Sequence, residues 1–152
     1  RMGGQLEPYA DIARGFRLNK PAAWNDFDGE AGGYERRWVD IVARDETVTV
    51  STSPVKPTTQ SVELLGDPKI IGAKFASARN AKLEAARARS TDGLLFYDFT
   101  FGPAADTNAH ELRTLVVAKS KLWSISCEAP AEAWESRAPI FANVSGSFFP
   151  RL

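Results

Sequence analysis

The chain of 152 residues is poor in the side chains that build reactive and metal-binding sites. It has one cysteine, Cys127, and one histidine, His110. A single cysteine excludes an intrachain disulfide and a cage of thiolate metal ligands. A Gly-x-Ser-x-Gly nucleophile elbow is absent from the sequence as well, and no spacing supports a cysteine–histidine pair. We therefore predict that the protein is not an enzyme.

Excess charge of one sign and long apolar runs are also missing. The 19 basic residues balance 19 acidic ones, which argues against a domain that binds nucleic acid through its overall charge. The apolar runs fall far short of the ~20 residues that a membrane-spanning helix needs, so we expect a protein that is not inserted in a membrane. With 43% hydrophobic and 25% charged residues, the composition is that of an ordinary globular domain.

The last third of the chain carries the clearest structural pattern. We predict a strand from His110 to Ala118, a turn at residues 119–121 and a return strand from Leu122 to Ala129. Because side chains alternate along a strand, one face of the return strand is apolar. This face consists of Trp123, Ile125, Cys127 and Ala129. The thiol of Cys127 is thereby predicted to be a small buried hydrophobe rather than a nucleophile.

A helix that covers this sheet is predicted to begin after Pro130. Trp134, Phe141 and Phe148 recur every seven residues, and Ile140 and Val144 lie on the same stripe. An apolar stripe of this kind is typical of a helix that packs on one face of a sheet.

Residues 81–90 have two interpretations, since alanine, leucine, glutamate and arginine all favour a helix. The Asp92-Gly93 pair that follows instead favours a hairpin turn. Pairing outward from this turn gives four cross-strand pairs: Arg89 with Phe96, Ala88 with Tyr97, Arg87 with Asp98 and Ala86 with Phe99. An ion pair on one face and small-against-large packing on the other stabilise antiparallel sheets, so we predict a strand.

The remaining elements complete an α+β domain. Residues 1–14 are predicted to form a surface lead-in, and residues 15–152 a single domain with Trp24 and Trp38 in its core. The other predicted elements are a strand at 15–19, a loop at 26–33, strands at 34–43 and 47–52, and short helices at 61–65 and 68–78. We therefore expect an αβα sandwich around a central antiparallel sheet.

Motifs spread along the chain resemble the PsbP family. They are Pro8-Tyr9, Gly15-Phe16 with Pro21 and Trp24, the aromatic strand from Leu95 to Phe101, His110, Lys121-Leu122-Trp123, Cys127 with Ala129, and Trp134 ahead of a helix that ends near Phe148. The resemblance extends from Pro8 to Phe148 and is distributed rather than concentrated in one motif. It implies a PsbP/Mog1-like αβα sandwich without enzymatic activity.

The resemblance also implies a role in photosynthesis. PsbP is an extrinsic subunit on the lumenal side of photosystem II in the chloroplast thylakoid, where it supports the oxygen-evolving complex by shielding the manganese–calcium cluster and retaining calcium and chloride. The implied partners are the photosystem II core and its other extrinsic subunits, with the protein peripheral on the lumenal membrane face. Cyanobacterial members carry a lipid on an N-terminal cysteine that this sequence lacks, which favours an algal or plant protein.

Two alternatives stay open beside this role. One is a PsbP-like assembly factor for a photosystem or for the chloroplast dehydrogenase complex, because one fold hosts several functions. The other is a Mog1-type binder of a small GTPase, which shares the fold class.

The resemblance also carries a metal hypothesis. In the family, the histidine that matches His110 has been linked with divalent metals together with an acidic residue just before the final helix. Here the nearest acid is Glu132, with Ala131 in the matching position. Imidazole and carboxylate suit zinc or manganese, so the resemblance implies no tightly bound cofactor but a weak site for Zn, Mn or Ca. The alternative is that His110 lies at a loop edge without a ligand, because specific metal sites need more convergent groups.

Basic residues provide a docking hypothesis. The candidate partner-binding residues are Arg36, Arg37, Arg113, Lys119 and Lys121. Side chains of this kind suit the acidic lumenal loops of a membrane complex, through contacts that salt weakens. The alternative is a solvated face whose charges have local partners, as the predicted pair of Arg87 and Asp98 suggests.

Overall fold

The structure, a computed structural model, describes residues 6–30 and 33–152. The strands in these residues are β1 (Leu6–Asp11), β2 (Phe16–Pro21), β3 (Asn25–Asp28), β4 (Arg36–Val39), β5 (Thr47–Pro54), β6 (Leu83–Thr91), β7 (Leu94–Phe101), β8 (Ala109–Ala118) and β9 (Lys121–Pro130). The α-helices are α1 (Pro68–Ala78) and α2 (Ala131–Ser147), and a short 3-10 helix spans Val62–Leu65.

Seven of these strands form one antiparallel sheet in the order β3-β4-β5-β9-β8-β7-β6. β1 and β2 form a separate hairpin, which packs with α2 on one face of the sheet, here called face A. α1 packs against β6 and β7 on the opposite face, here called face B. Helices on both faces of an antiparallel sheet confirm the predicted αβα sandwich.

The core is divided by the sheet into two apolar layers. The layer on face A is the larger, and Trp38, Trp123 and Phe141 are fully buried in it. The layer on face B is built around Phe99 and Leu115. Four residues of β9 point into the face A layer, as its alternation predicts: Trp123, Ile125, Cys127 and Ala129. Trp24 and Trp38 also lie in this layer, as predicted.

The β6–β7 hairpin confirms the strand predicted at residues 81–90. Its register has the four predicted pairs: Arg89 with Phe96, Ala88 with Tyr97, Arg87 with Asp98 and Ala86 with Phe99. The turn residues Asp92 and Gly93 have φ angles of 49° and 83°, as a type I′ turn requires. Turn chemistry therefore outweighs the helix propensity of this segment.

The predicted ion pair of this hairpin involves a different arginine. Asp98 binds the Nε of Arg89 at 2.7 Å rather than the guanidinium of Arg87, which lies directly opposite. Arg89 also donates to the carbonyl oxygen of Ser145 in α2 at 3.1 Å. Because Ser145 gives Arg89 a second acceptor, Asp98 pairs with Arg89 rather than with Arg87.

The prediction that residues 1–14 form a lead-in is wrong for residues 6–11, which form β1. This strand pairs with β2 along its whole length, and the ring of Tyr9 packs edge-on against Trp38 at 5.2 Å between centroids. Residues 1–5 lie outside the described residues. This strand forms because it pairs with β2 and because Tyr9 packs on a core ring. Neither contact is indicated by its own short sequence, which contains Pro8.

The segment 26–46 also differs from its prediction. Asn25–Asp28 forms β3 rather than a loop, because Arg36 of the neighbouring β4 pairs with two of its carboxylates, Asp26 and Asp28. Residues 31–32 of the predicted loop lie outside the described residues. The predicted strand at 34–43 is shortened to β4, because Asp40 and Glu46 turn towards the buried Arg137 of α2.

The helices lie within one residue of their predicted bounds. Asp67 caps α1 by accepting from the backbone N–H of Lys69 at 2.8 Å, ahead of Pro68 at the first position. The predicted helix at 61–65 is a 3-10 helix. On α2, Phe141 is fully buried and Trp134 is partly exposed. Neither α-helix in the described ranges is long and apolar enough to cross a membrane.

Candidate functional site

Half of face B is left uncovered by α1 and forms a polar groove. α1 lies over β6 and β7. The neighbouring strands β5 and β9 place mainly apolar side chains on face A and mainly serine and threonine on face B. A groove of about 410 Å³ lies along this polar side. We call it the polar trough, and its polar lining consists of Arg37, Thr49, Ser51, Thr52, Ser53, Arg113, Ser124, Ser126 and Glu128.

Two of the predicted partner-binding residues, Arg37 and Arg113, meet in the polar trough. They lie in one cross-strand row that runs from β4 to β8 through Thr49 and Ser126. Three interstrand steps separate their Cα atoms, a distance of about 14 Å. One extended acidic segment can therefore contact both.

Each of these arginines is held in place through only part of its guanidinium. The Nε of Arg37 donates to Thr49 Oγ1 at 3.0 Å, and its guanidinium lies 4.4 Å from the centre of the Tyr34 ring. The Nε of Arg113 donates to Glu111 at 2.8 Å, and its guanidinium lies 5.0 Å from the centre of the Phe75 ring. The terminal Nη groups of both have no hydrogen-bond partner among residues 6–30 and 33–152.

A buried carboxylate organises the β8 side of the trough. Glu111 is 1% exposed and accepts from Arg79 Nη1 at 2.5 Å, Arg113 Nε at 2.8 Å and Ser126 Oγ at 2.6 Å. Glu128 lies beside it, 3.5 Å from Arg79 Nη2. Burial raises the pKa of Glu128, and the neighbouring Glu111 carboxylate raises it further. Glu128 therefore takes up a proton at a higher pH than an exposed glutamate.

The side chains of the trough suit the binding of an acidic partner. An arginine with both Nη groups free binds a carboxylate through two parallel hydrogen bonds. The serine hydroxyls along the groove can both donate and accept. The groove therefore suits a polar partner that presents carboxylates.

Arg36, the third predicted arginine, lies on face A. Its Nε is 2.7 Å from Asp26 Oδ1, its Nη1 is 3.3 Å from Asp28 Oδ1, and its guanidinium lies 5.5 Å from the centre of the Tyr9 ring. The hydrogen bond to Asp26 raises the pKa of Arg36. Because consecutive residues of a strand point to opposite faces, Arg36 and Arg37 do not belong to one surface.

The two predicted lysines lie at the exposed turn between β8 and β9. Lys119 Nζ donates to the carbonyl oxygen of Gly15 at 3.0 Å, which joins this turn to the turn between β1 and β2. Lys121 Nζ lies 5.8 Å from the centre of the Trp123 ring, on the side of face A. The structure therefore does not bring either lysine into the polar trough.

The structure places a different carboxylate beside His110 than the predicted Glu132. His110 Nε2 lies 3.0 Å from Glu84 Oε1, and the imidazole stacks on Trp134 with 4.1 Å between ring centres. Glu132 instead accepts from Asn108 Nδ2 at 3.0 Å. An imidazole and one carboxylate fall short of the three or four protein ligands typical of zinc sites. In the described part of the chain, no group of three or more His, Cys, Asp or Glu side chains is arranged to hold a metal.

Cys127 is buried on face A, as predicted, within 3.9 Å of Ser145 Oγ. Burial raises the pKa of its thiol to about 12. Because the thiolate is the nucleophile, the side chain is inert at physiological pH.

Sequence reasoning missed Glu84, Glu111 and Arg79. Glu84 lies at a bulge of β6, where the pairing register shifts between Leu83 and Ala85, and such a shift leaves no mark in the sequence. Glu111 could have been noticed from the sequence, since it occupies an inward position of a strand with alternating side chains. A buried charge at such a position needs partners.

Comparison with known proteins gives one consistent relationship. A family model described as PsbP matches residues 4–149. CyanoP of Thermosynechococcus vestitus is 27% identical and aligns with 94% of this chain and 85% of its own length. The solution structure of cyanobacterial PsbP (CyanoP) from Synechocystis sp. PCC 6803 superposes with a TM-score of 0.79 at 23% identity, covering 96% of this chain and 92% of that one. The Saccharomyces cerevisiae Ran-binding protein Mog1p shares the fold, with a TM-score of 0.60 at 9% identity and 95% coverage of both chains.

Proposed function

Because this chain belongs to the PsbP family, we propose that it is a noncatalytic accessory protein of photosystem II that docks on the lumenal side of the complex through the polar trough. The observation that carries the docking surface is the pair formed by Arg37 and Arg113, whose Nε atoms are anchored while their Nη groups are left for a partner. Acidic lumenal loops of the complex are the occupants that this charge pattern suits.

The proposed role of the docked protein is to support the oxygen-evolving complex. It shields the manganese–calcium cluster from the lumen and slows the loss of calcium and chloride, and no residue of the chain takes part in the chemistry. The two CyanoP relatives are cyanobacterial, so the proposal concerns the lumenal face of a photosynthetic membrane, and the chloroplast location stays a prediction.

Adhesion through the trough is expected to be additive and sensitive to salt. Exposed ion pairs contribute about 0.2 to 1 kcal/mol each, so two arginines with serine hydroxyls elsewhere in the groove give a contact of moderate strength. Screening at high ionic strength weakens such contacts. Docking is therefore expected to be reversible by a salt wash.

The test is rebinding of the purified protein to salt-washed photosystem II membranes. Arg37→Gln combined with Arg113→Gln is expected to weaken rebinding roughly tenfold, which corresponds to about 1.4 kcal/mol. Arg44→Gln combined with Lys69→Gln removes the same charge from exposed residues outside the trough and is expected to leave rebinding unchanged. Equal effects of both double variants would show that overall charge, not the trough, directs docking. Circular dichroism and thermal unfolding confirm that each variant is folded.

Oxygen evolution separates a resident subunit from an assembly factor. A subunit restores oxygen evolution to washed membranes at low calcium and chloride and is recovered in stoichiometric amount with the complex. An assembly factor binds incomplete complexes and leaves the activity of finished ones unchanged. Failure to bind either form would contradict the proposed function.

A further inference from the structure

A second cavity, of about 450 Å³, lies on face A between α2 and the strands β6 and β7. Its size falls within the range of ligand pockets, which begin at about 300 Å³. α2 packs against β2, β8 and β9, so β6 and β7 project beyond the helix. The side of α2 towards this space carries Ala138, Ala142 and Gly146, whose short side chains leave it open. We call this space the edge cavity.

β6 borders the edge cavity and is an open edge of the seven-stranded sheet. It is nine residues long, against four for β3 at the other edge. In a two-residue hairpin the pair next to the turn is hydrogen-bonded, and outward-facing backbone groups alternate from there. The outward groups are therefore those of Ala86, Ala88 and Ser90, and in the described residues none bonds to the backbone of another segment. An edge of this length is a template for an added strand.

Two arginines of β6, Arg87 and Arg89, line the edge cavity, and of the two only Arg89 has hydrogen-bond partners among the described residues. Arg89 binds Asp98 at 2.7 Å and the carbonyl oxygen of Ser145 at 3.1 Å. Arg87 is exposed and forms no ion pair or hydrogen bond with any residue that the structure describes. An occupant of this edge is therefore expected to carry a carboxylate opposite Arg87.

The same two arginines disfavour a second copy of this chain as the occupant. Antiparallel pairing of two β6 strands centred on Ala88 sets Arg87 of each copy opposite Arg89 of the other. Centring on Arg87 sets the two copies of this residue against each other. Like charges directly opposite destabilise a sheet, so these two registers are disfavoured, and we take a different, acidic chain as the occupant.

We propose that β6 binds an extended, acidic segment of a partner protein, which adds to the sheet as an eighth strand. Its backbone pairs with the outward groups of Ala86, Ala88 and Ser90. On face A it places a carboxylate opposite Arg87 and, two residues away, an apolar side chain opposite Ala85. This apolar side chain packs over Ala85 at the open end of the edge cavity. The mode is strand addition, in which backbone bonds give affinity and alternate side chains give specificity. The site is separate from the polar trough on face B.

The probe is an array of random eight-residue peptides, incubated with the labelled full-length protein. We expect enrichment of peptides that carry an acidic and an apolar residue two positions apart and that lack proline between them. With the best peptide, hydrogen exchange is expected to slow at the amides of Ala86, Ala88 and Ser90. Enrichment without this spacing, or unchanged exchange at these three amides, would overturn the proposal.

Two variants test the two contributions separately. Arg87→Glu is expected to weaken binding of the best peptide at least tenfold and to shift the enriched sequences towards lysine and arginine. Ala88→Pro removes the central outward N–H and is expected to abolish binding. Lys74→Glu, on exposed α1 across the sheet, serves as the charge-matched control and is expected to bind normally. If Ala88→Pro does not fold, Arg87→Glu decides, and binding equal to that of the control would refute the site.

Discussion

Glu111 is the residue whose replacement tests the architecture of the polar trough most directly. Its carboxylate is 1% exposed and accepts from two arginines and a serine. Replacing it with alanine leaves the guanidinium of Arg79 largely buried, with the carbonyl oxygen of Ala109 at 2.9 Å and the more distant Glu128 carboxylate at 3.5 Å as its remaining acceptors. Removing one partner of a buried ion pair costs about 3 to 5 kcal/mol. Because Arg113 is partly exposed and regains water, we expect the Glu111→Ala loss at the lower end of this range.

Glu111→Gln refines the test because it keeps the size of the side chain. An amide accepts through one oxygen only and turns an N–H₂ towards groups that are themselves donors. Hydrogen bonds to charged groups contribute about 1.5 to 3 kcal/mol each, so we expect a loss of about 2 to 3 kcal/mol. For a domain of this size the melting temperature falls by about 2 to 4 °C per kcal/mol, which gives a decrease of roughly 4 to 12 °C.

Urea denaturation followed by tryptophan fluorescence measures the change. The midpoint is expected to fall while the slope m is unchanged, since the surface exposed on unfolding is the same. Glu132→Gln is the control: its carboxylate is exposed and accepts from Asn108 alone among the described residues, so a change within about 0.5 kcal/mol is expected. A Glu111→Gln midpoint equal to that of the control would refute the three-donor arrangement.

Three further predictions concern single side chains. The raised pKa of Glu128 means that the folded protein binds this proton more tightly than the unfolded chain, so the stability it contributes is present at acidic pH and lost as pH rises through the raised pKa. In a series of urea denaturations at increasing pH, the midpoint of Glu128→Gln should fall less than that of the unsubstituted protein. A fall that is equal or steeper would contradict this prediction. The Cys127 thiol, with its pKa raised to about 12, is expected to resist a disulfide reagent until urea unfolds the protein, whereas immediate release of one equivalent would show an accessible thiolate. Trp134→Ala is expected to cost about 2 kcal/mol in urea denaturation, less than the 3 to 5 kcal/mol of a fully buried aromatic, because the ring is partly exposed; an unchanged midpoint would show that its stacking on His110 adds no stability.

Local patterns in the sequence determined the sheet centre and the boundaries of the helices. The alternation of β9 identified its buried face, and the Asp92-Gly93 turn determined the register of β6 and β7. The alternation of apolar side chains and the conformation of a two-residue turn each depend on a few neighbouring residues. The sequence alone is therefore enough to recognise them. Pro68 and Pro130 marked the starts of α1 and α2 for the same reason.

Contacts between distant segments were decided only by the tertiary structure. β1 and β3 are strands because β2 and β4 lie beside them. Asp98 forms its ion pair with Arg89 rather than Arg87 because Ser145 of α2 gives Arg89 a second acceptor. His110 meets Glu84 rather than Glu132 because a bulge shifts the register of β6.

The candidate site shows the same division. Sequence alone identified Arg37 and Arg113 as basic residues on strands, and alternation alone requires that Arg36 and Arg37 point to opposite faces. Which face each would take depended on how β4 pairs with β5 and on where α1 leaves the sheet uncovered. Burial of the apolar side chains of β5 and β9 in the face A layer settles this, because only one orientation of the sheet removes them from water.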